Sequence, residues 1–148
     1  MRSKRRRKFY FFDVGVFQSL RPQGPLDRPA EIAGAALEGL VAQHLRAWNA
    51  YQNEPYEIFF WRSRGGVEVD FVLYGKNGLY AIEVKNAIRL RPDDFRSLRE
   101  FRQDYPQSQT ILLYRGKEKL LMEHVLCIPC EMFLKQLTPQ VDLATMLR

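Results

Sequence analysis

Asp70, Glu83 and Lys85 are the residues of this chain whose types and spacing point to chemistry. They lie in two short segments, Val67-Glu68-Val69-Asp70-Phe71-Val72-Leu73 and Leu79-Tyr80-Ala81-Ile82-Glu83-Val84-Lys85. Each alternates apolar and polar residues, as a strand with one buried face does. Charged side chains recurring inside such strands are unusual, and two carboxylates brought together make an acidic site that a divalent cation would neutralise. Directly opposed carboxylates destabilise a strand pair by up to roughly 1 kcal/mol; a bound cation reverses that sign. The plainer reading of the trio is a cross-strand salt bridge on a solvated face, worth about 0.2–1 kcal/mol.

The elements that must position the trio begin with a hairpin. Tyr74-Gly75-Lys76-Asn77-Gly78 separates the two segments and reads as a tight turn. With Gly75 to Gly78 as the loop, Tyr74 faces Leu79, Asp70 faces Glu83 and Glu68 faces Lys85. With Asn77-Gly78 alone as the turn, Asp70 faces Lys85. The two registers differ by a slip of two, which preserves the faces. In both, Val67, Val69, Phe71 and Leu73 share one face with Tyr80, Ile82 and Val84, and Glu68, Asp70, Glu83 and Lys85 share the other.

Around this hairpin the sequence predicts an aromatic run at 8–16, a helix from near Pro29 capped by Asp27, and a strand Glu57–Arg62. A second helix opens at Pro92-Asp93-Asp94, with proline in the first turn and acids suited to the helix dipole. Thr110–Tyr114 and Leu120–Ile128 read as the fourth and fifth strands, and a short helix runs from Pro129 to Leu137. The order is that of an α/β fold with a mixed central sheet flanked by helices. The stretch from Ala81 to Tyr114 is expected to cross over between parallel strands. Residues 1–8 form a basic arm, 9–137 one domain and 138–148 an uninformative tail.

Bulk properties bound the function. The 148 residues suffice for one core. No apolar run approaches the ~20 residues of a membrane span, and no secretory leader is apparent. Two cysteines make no disulfide framework, so a reducing cytoplasm is the expected compartment. Arg2, Lys4, Arg5, Arg6, Arg7 and Lys8 carry as much positive charge as the whole net charge of +6. The basicity is thus a property of the arm, either a phosphate-binding segment or an ordinary solvated end.

Asp70 followed by Glu83-Val84-Lys85 on the neighbouring strand resembles the Asp…Glu-x-Lys signature of the PD-(D/E)XK nuclease superfamily, and the order of elements is similar to its restriction-endonuclease-like core. Lys8-x-Tyr10-x-x-Asp13-x-Gly15, Leu37-Glu38-x-x-Val41-x-x-His44-Leu45, Trp61-Arg62 and Glu68–Val72 narrow the likeness. Together they resemble the uncharacterised C-terminal domain that follows a AAA-type ATPase module in many bacterial and archaeal proteins. The likeness covers roughly positions 8 to 137; no P-loop motif occurs in this sequence.

The resemblance implies metal-dependent hydrolysis of DNA phosphodiesters. Asp70, Glu83 and the Val84 carbonyl would hold Mg²⁺ or Mn²⁺. Lys85 would orient or help deprotonate the attacking water, and Glu38 would be a helical carboxylate of the site, with Glu68 behind it. Arg62 and Arg64 would hold phosphates, and Arg89, Arg91, Arg96, Arg99 and Arg102 would track the nucleic-acid backbone beyond. DNA, an ATPase module or other protein partner, and a second copy of the chain are the partners implied; a membrane is not. The alternative is a non-catalytic DNA- or protein-binding module on a degenerate nuclease fold. Cys127-Ile128-Pro129-Cys130 has redox or zinc spacing, but without a second cysteine pair two core thiols are the simpler expectation.

Overall fold

Alternating strands and two amphipathic helices assemble as the patterning predicts. The computed structural model describes residues 23–148; the basic arm and the aromatic run lie outside the described residues. The elements are α1 (Pro29–Ala50), β1 (Glu57–Arg62), β2 (Glu68–Gly75), β3 (Gly78–Val84), a 3-10 turn (Pro92–Phe95), α2 (Arg96–Asp104), β4 (Gln109–Tyr114), β5 (Leu120–Met122), β6 (Val125–Pro129), α3 (Cys130–Gln136) and α4 (Leu143–Met146). The six strands form one mixed sheet in the order β1-β2-β3-β4-β6-β5. β3, β4 and β6 run parallel to one another, and the remaining neighbours are antiparallel. The β3–α2–β4 crossover therefore joins parallel strands, as expected.

Helices cover both faces. On one, Val41, Leu45 and Trp48 of α1 pack with Phe71, Leu73, Tyr80, Ile82, Ile111 and Phe133. Burying each such side chain contributes about 1.5–3 kcal/mol. On the other, Phe95, Leu98 and Phe101 of the second helical segment pack with Val69, Val72, Ala81 and Leu112. Pro29 stands at the start of α1, but Asp27 does not cap it: its carboxylate accepts the Gly24 N–H at 3.0 Å and closes the preceding turn instead.

The hairpin adopts the first of the two registers, with Tyr74 opposite Leu79 and Gly75 opposite Gly78. Gly78 has φ 140°, which L side chains avoid, and a Cβ there would meet Tyr80 at 2.9 Å. The expected strand Leu120–Ile128 is split. Glu123 and His124, with φ 51° and 64°, fold it into a hairpin. Two non-glycine residues in the left-handed region cost roughly 1–2 kcal/mol each. The His124 carbonyl, accepting from Arg102 and from Thr110 at 3.2 Å each, offsets part of that cost. Replacing Glu123-His124 by Asn-Gly should therefore stabilise the chain by about 1 kcal/mol, read as a higher urea midpoint.

The last residues are not a detached tail. Leu143 and Met146 enter the α1-side core. The Trp48 indole donates to the Val141 carbonyl at 2.8 Å, and the Tyr56 hydroxyl donates to Asp142 at 2.6 Å. Two apolar residues in a four-residue helix are too short a pattern to read in advance. Tyr56→Phe should cost about 1.5–3 kcal/mol, because it strips a buried hydrogen bond to a charged acceptor; equilibrium denaturation measures it.

Candidate active site at a strand fork

A bulge in β2 shapes the site. Phe59 pairs with Val72 and Trp61 with Val69, so Asp70 and Phe71 together oppose the single residue Phe60. The extra residue turns Val69 to the α2 side of the sheet while Phe71 and Leu73 stay on the α1 side. The shared face expected for Val69, Phe71 and Leu73 is thereby corrected: simple alternation does not survive an inserted residue. Glu68 moves with it. It pairs with Arg62 across the strands, carboxylate to guanidinium 3.6 Å, and leaves the face that carries Glu83.

β2 and β3 then part. Their ladder ends at Phe71–Ile82, while β2 stays with β1 as far as Glu68 and β3 stays with β4 as far as Val84. The Lys85 N–H continues on the β4 side, donating to the Leu113 carbonyl at 2.8 Å. At this fork two backbone N–H groups lack a strand partner, and each is taken by the opposite strand's carboxylate. The Val84 N–H donates to Asp70 Oδ2 at 2.8 Å, and the Asp70 N–H donates to Glu83 Oε2 at 3.3 Å. This reciprocal clasp fixes both carboxylates by satisfying main-chain donors that would otherwise be left unpaired.

Lys85 completes the trio. Its ammonium lies 3.0 Å from Glu83 Oε1; the Glu83 side chain is 7% exposed and that of Lys85 32%. Burial raises the Glu83 carboxyl above its ordinary value, and the pull of Lys85, the Asp70 N–H and Ser97 does not cancel that rise. For Lys85, burial favours the neutral amine, but Glu83, Asp70 and Asp94 together outweigh it and hold the ammonium above its ordinary value.

The donor set fits a hard divalent ion. Two carboxylates point into the fork. The Val84 carbonyl opens on the same side as the Val84 N–H, because both groups of a strand residue face one neighbour. Mg²⁺ is commonly held by one or two carboxylates and keeps several waters. Glu38 does not join them. Among the described residues no three His, Cys, Asp or Glu side chains converge to hold a metal. The reason is the layering: α1 packs on the face of Ile82, whereas Glu83 projects the other way, beneath α2. α1 passes this end of β3 near Gly34, where a Cβ would lie 4.0 Å from Asn86 Cβ, and half-buried Glu38 is on the next turn.

Of the arginines, Arg62 is engaged by Glu68, Arg64 is exposed in the turn before β2, and Arg89 and Arg91 are exposed on the segment after Lys85. Those of α2 are tied within the fold: Arg96 to Glu100 at 3.3 Å, Arg99 to Glu123 at 3.7 Å, Arg102 to the His124 carbonyl. A groove of about 430 Å³ runs between Trp61 and Ser63 of the β1 end and Arg96, Arg99 and Gln103 of α2. Since Trp61 pairs with Val69, the groove adjoins the fork. Asp94 and Ser97, which act on Lys85 and Glu83, were not singled out from the sequence. Asp94 was visible only as a helix-opening acid, and a buried serine leaves no trace in hydropathy patterning.

Cys127 and Cys130 are reduced and buried on opposite faces of the sheet, and burial pushes both thiols up to about 11. They pack as core residues; neither thiol is activated.

No helix among the described residues is long and apolar enough to cross a membrane. The chain is similar to uncharacterized proteins of Mycobacterium bovis and Mycobacterium tuberculosis, 26% identical to each over 137 residues; the match covers 90% of this chain and 30% of each relative. The chain thus spans about a third of the length of these relatives. No solved structure matches. A family model described as a domain of unknown function, DUF4143, matches residues 33–133, a stretch that holds the whole β1–β4 sheet, the fork and its trio. The chain belongs to this DUF4143 family.

Proposed function

We propose that the domain is a restriction-endonuclease-like nuclease that hydrolyses DNA phosphodiesters with Mg²⁺ or Mn²⁺. The observation that carries the reading is the clasp at the fork: Asp70 and Glu83 fixed by each other's strands, with Lys85 held beside them. The plain salt bridge expected as the rival does not need both carboxylates to leave the ladder and face one gap. A buried carboxylate whose charge is disfavoured gains most from a cation, which is the role Asp70, Glu83 and the Val84 carbonyl would give a metal. The bound ion would polarise a phosphate oxygen and lower the pKa of a water. Lys85 would offset charge on the phosphate and orient or help deprotonate the attacking water. Arg64, Arg89 and Arg91 lie exposed on the segments that flank the fork in sequence, where they would position a phosphate backbone.

The absence of a third converging carboxylate among the described residues favours one second reading, a DNA- or protein-binding module whose cutting site has degenerated. The mycobacterial relatives carry more than two thirds of their length outside the match, room for the ATPase module that the sequence resemblance implies. Incubating the protein with plasmid and linear DNA plus Mg²⁺ or Mn²⁺ separates the readings. Nicks or breaks that vanish with EDTA and with Asp70→Asn support the nuclease. Intact DNA with both metals, or cleavage unaffected by the substitution, removes it.

A further inference from the structure

The sheet runs on past the fork on its β4 side. The Lys85 N–H donates to the Leu113 carbonyl at 2.8 Å, and further along the Arg115 N–H donates to the Ala87 carbonyl at 2.9 Å. These bonds extend the parallel β3–β4 ladder beyond Val84 and Tyr114, where the two strands end. They fix Arg115 against the segment that follows Lys85. Glu83 stands level with Leu112, so Arg115 lies about 10 Å further along the sheet. This rim is where an open α/β sheet commonly takes a ligand. β4 lies between β3, whose chain turns to the α2 face, and β6, whose chain turns to the opposite face through Phe133 of α3. Connections that leave in opposite directions open a crevice at the carboxyl ends of the strands.

Two side chains meet there. The Arg115 guanidinium donates to Asn86 Oδ1 at 3.3 Å. Asn86 is half-buried beside α1, where a Cβ on Gly34 would lie 4.0 Å from its own; Arg115 is exposed. Arg62, Arg96 and Arg99 are different: they face carboxylates at 3.6, 3.3 and 3.7 Å. Among the described residues no carboxylate pairs with Arg115, so its charge is not offset. A guanidinium has only donors, so the amide oxygen of Asn86 is the atom that meets it and the amide N–H groups are left over. Every side-chain polar group that the pair still offers is therefore a donor. Such a pair suits an anion with several acceptor oxygens and has nothing to give a cation. We propose that Asn86 and Arg115 clamp a phosphate of the nucleic-acid backbone at the rim beside the fork. The inference rests on the reading of the domain as one that acts on DNA. Neither residue ligates the metal; they position the strand that the fork would cut. Arg115 supplies the charge and a planar set of donors, and Asn86 holds that plane while adding a donor of its own.

Fluorescence anisotropy of a labelled DNA duplex, in EDTA and over a series of KCl concentrations, tests it on the full chain. Arg115→Ala should weaken binding about tenfold. It should also lower the slope of log K against log salt by about 0.9, the value for one phosphate contact. Arg115→Lys keeps the charge and should keep the slope, with an affinity between the two. Asn86→Asp gives Arg115 a carboxylate to pair with and should lose as much as Arg115→Ala. Arg46→Ala, about three turns along α1 from Gly34, should leave the slope unchanged. Urea midpoints confirm that each variant is folded. A wild-type slope in Arg115→Ala, or an equal fall in Arg46→Ala, overturns the clamp, while metal-dependent cleavage by the wild type keeps the nuclease reading. A wild-type chain that binds the duplex without cutting it, with the expected fall in Arg115→Ala, keeps the clamp and removes the nuclease. A wild-type chain that binds no DNA overturns both.

Discussion

If the domain is the nuclease proposed, Glu83→Gln will abolish its metal-dependent DNA cleavage, a loss of roughly 10³-fold or more. The size follows from what a ligated cation supplies: several kcal/mol of transition-state stabilisation, at about 1.4 kcal/mol per factor of ten. Gln keeps the shape of Glu and can still accept from the Asp70 N–H, so the fork should persist and the fold with it. The lost element is the charge, one of the two carboxylates that face the gap. Asp70→Asn should behave alike, since Asn still accepts from the Val84 N–H. Plasmid nicking by purified variants, with circular dichroism to confirm folding, checks both. Activity within tenfold of wild type in either variant places the metal elsewhere.

Lys85→Met will destabilise the fold, and the deficit will grow with pH. Removing one partner of a buried ion pair costs about 3–5 kcal/mol when the remaining charge has nowhere to go. Here two effects reduce it. Lys85 is about a third exposed, so water screens part of the attraction. Glu83, already raised by burial, can also take up a proton. Without the ammonium its folded-state pKa rises further, and the folded chain then holds a proton that the unfolded chain gives up near 4.5. A group raised in this way contributes stability that is full below the unfolded value and is lost as pH climbs through the folded one. The deficit relative to wild type should be small near pH 4.5 and reach about 2 kcal/mol at pH 8. Urea denaturation at the two pH values reads it. A deficit that does not vary with pH would mean that Glu83 and Lys85 are not coupled.

Much of the frame was legible in advance because local signals agreed. Glu57–Arg62 emerged with its bounds intact, framed by Pro55 and by Arg64-Gly65-Gly66. The opening of α1 at Pro29 was equally plain; the turn between Tyr74 and Leu79 was legible with two registers open, of which the structure takes the one with Gly75 opposite Gly78. Of the site, Asp70, Glu83 and Lys85 were found from strand patterning, and the structure brings those three together at one gap.

The misses share a cause: they depend on tertiary contacts that periodicity does not encode. Period-two alternation has no signature for a bulge, so the turning of Val69 and Glu68 away from their expected faces was invisible. Glu123 and His124 are poor turn residues by type and turn because Arg102 and Thr110 hold the His124 carbonyl. Glu38 has helical spacing that suits a site, yet the layer it belongs to packs on the other side of the sheet.

Calorimetric titration with Mn²⁺ tests the central claim most directly, that Asp70 and Glu83 together hold one divalent ion at the fork. Wild-type protein should bind a single ion, and both Asp70→Asn and Glu83→Gln should lose it while remaining folded. A wild-type chain that binds no Mn²⁺, or variants that bind as well as wild type, would contradict the account.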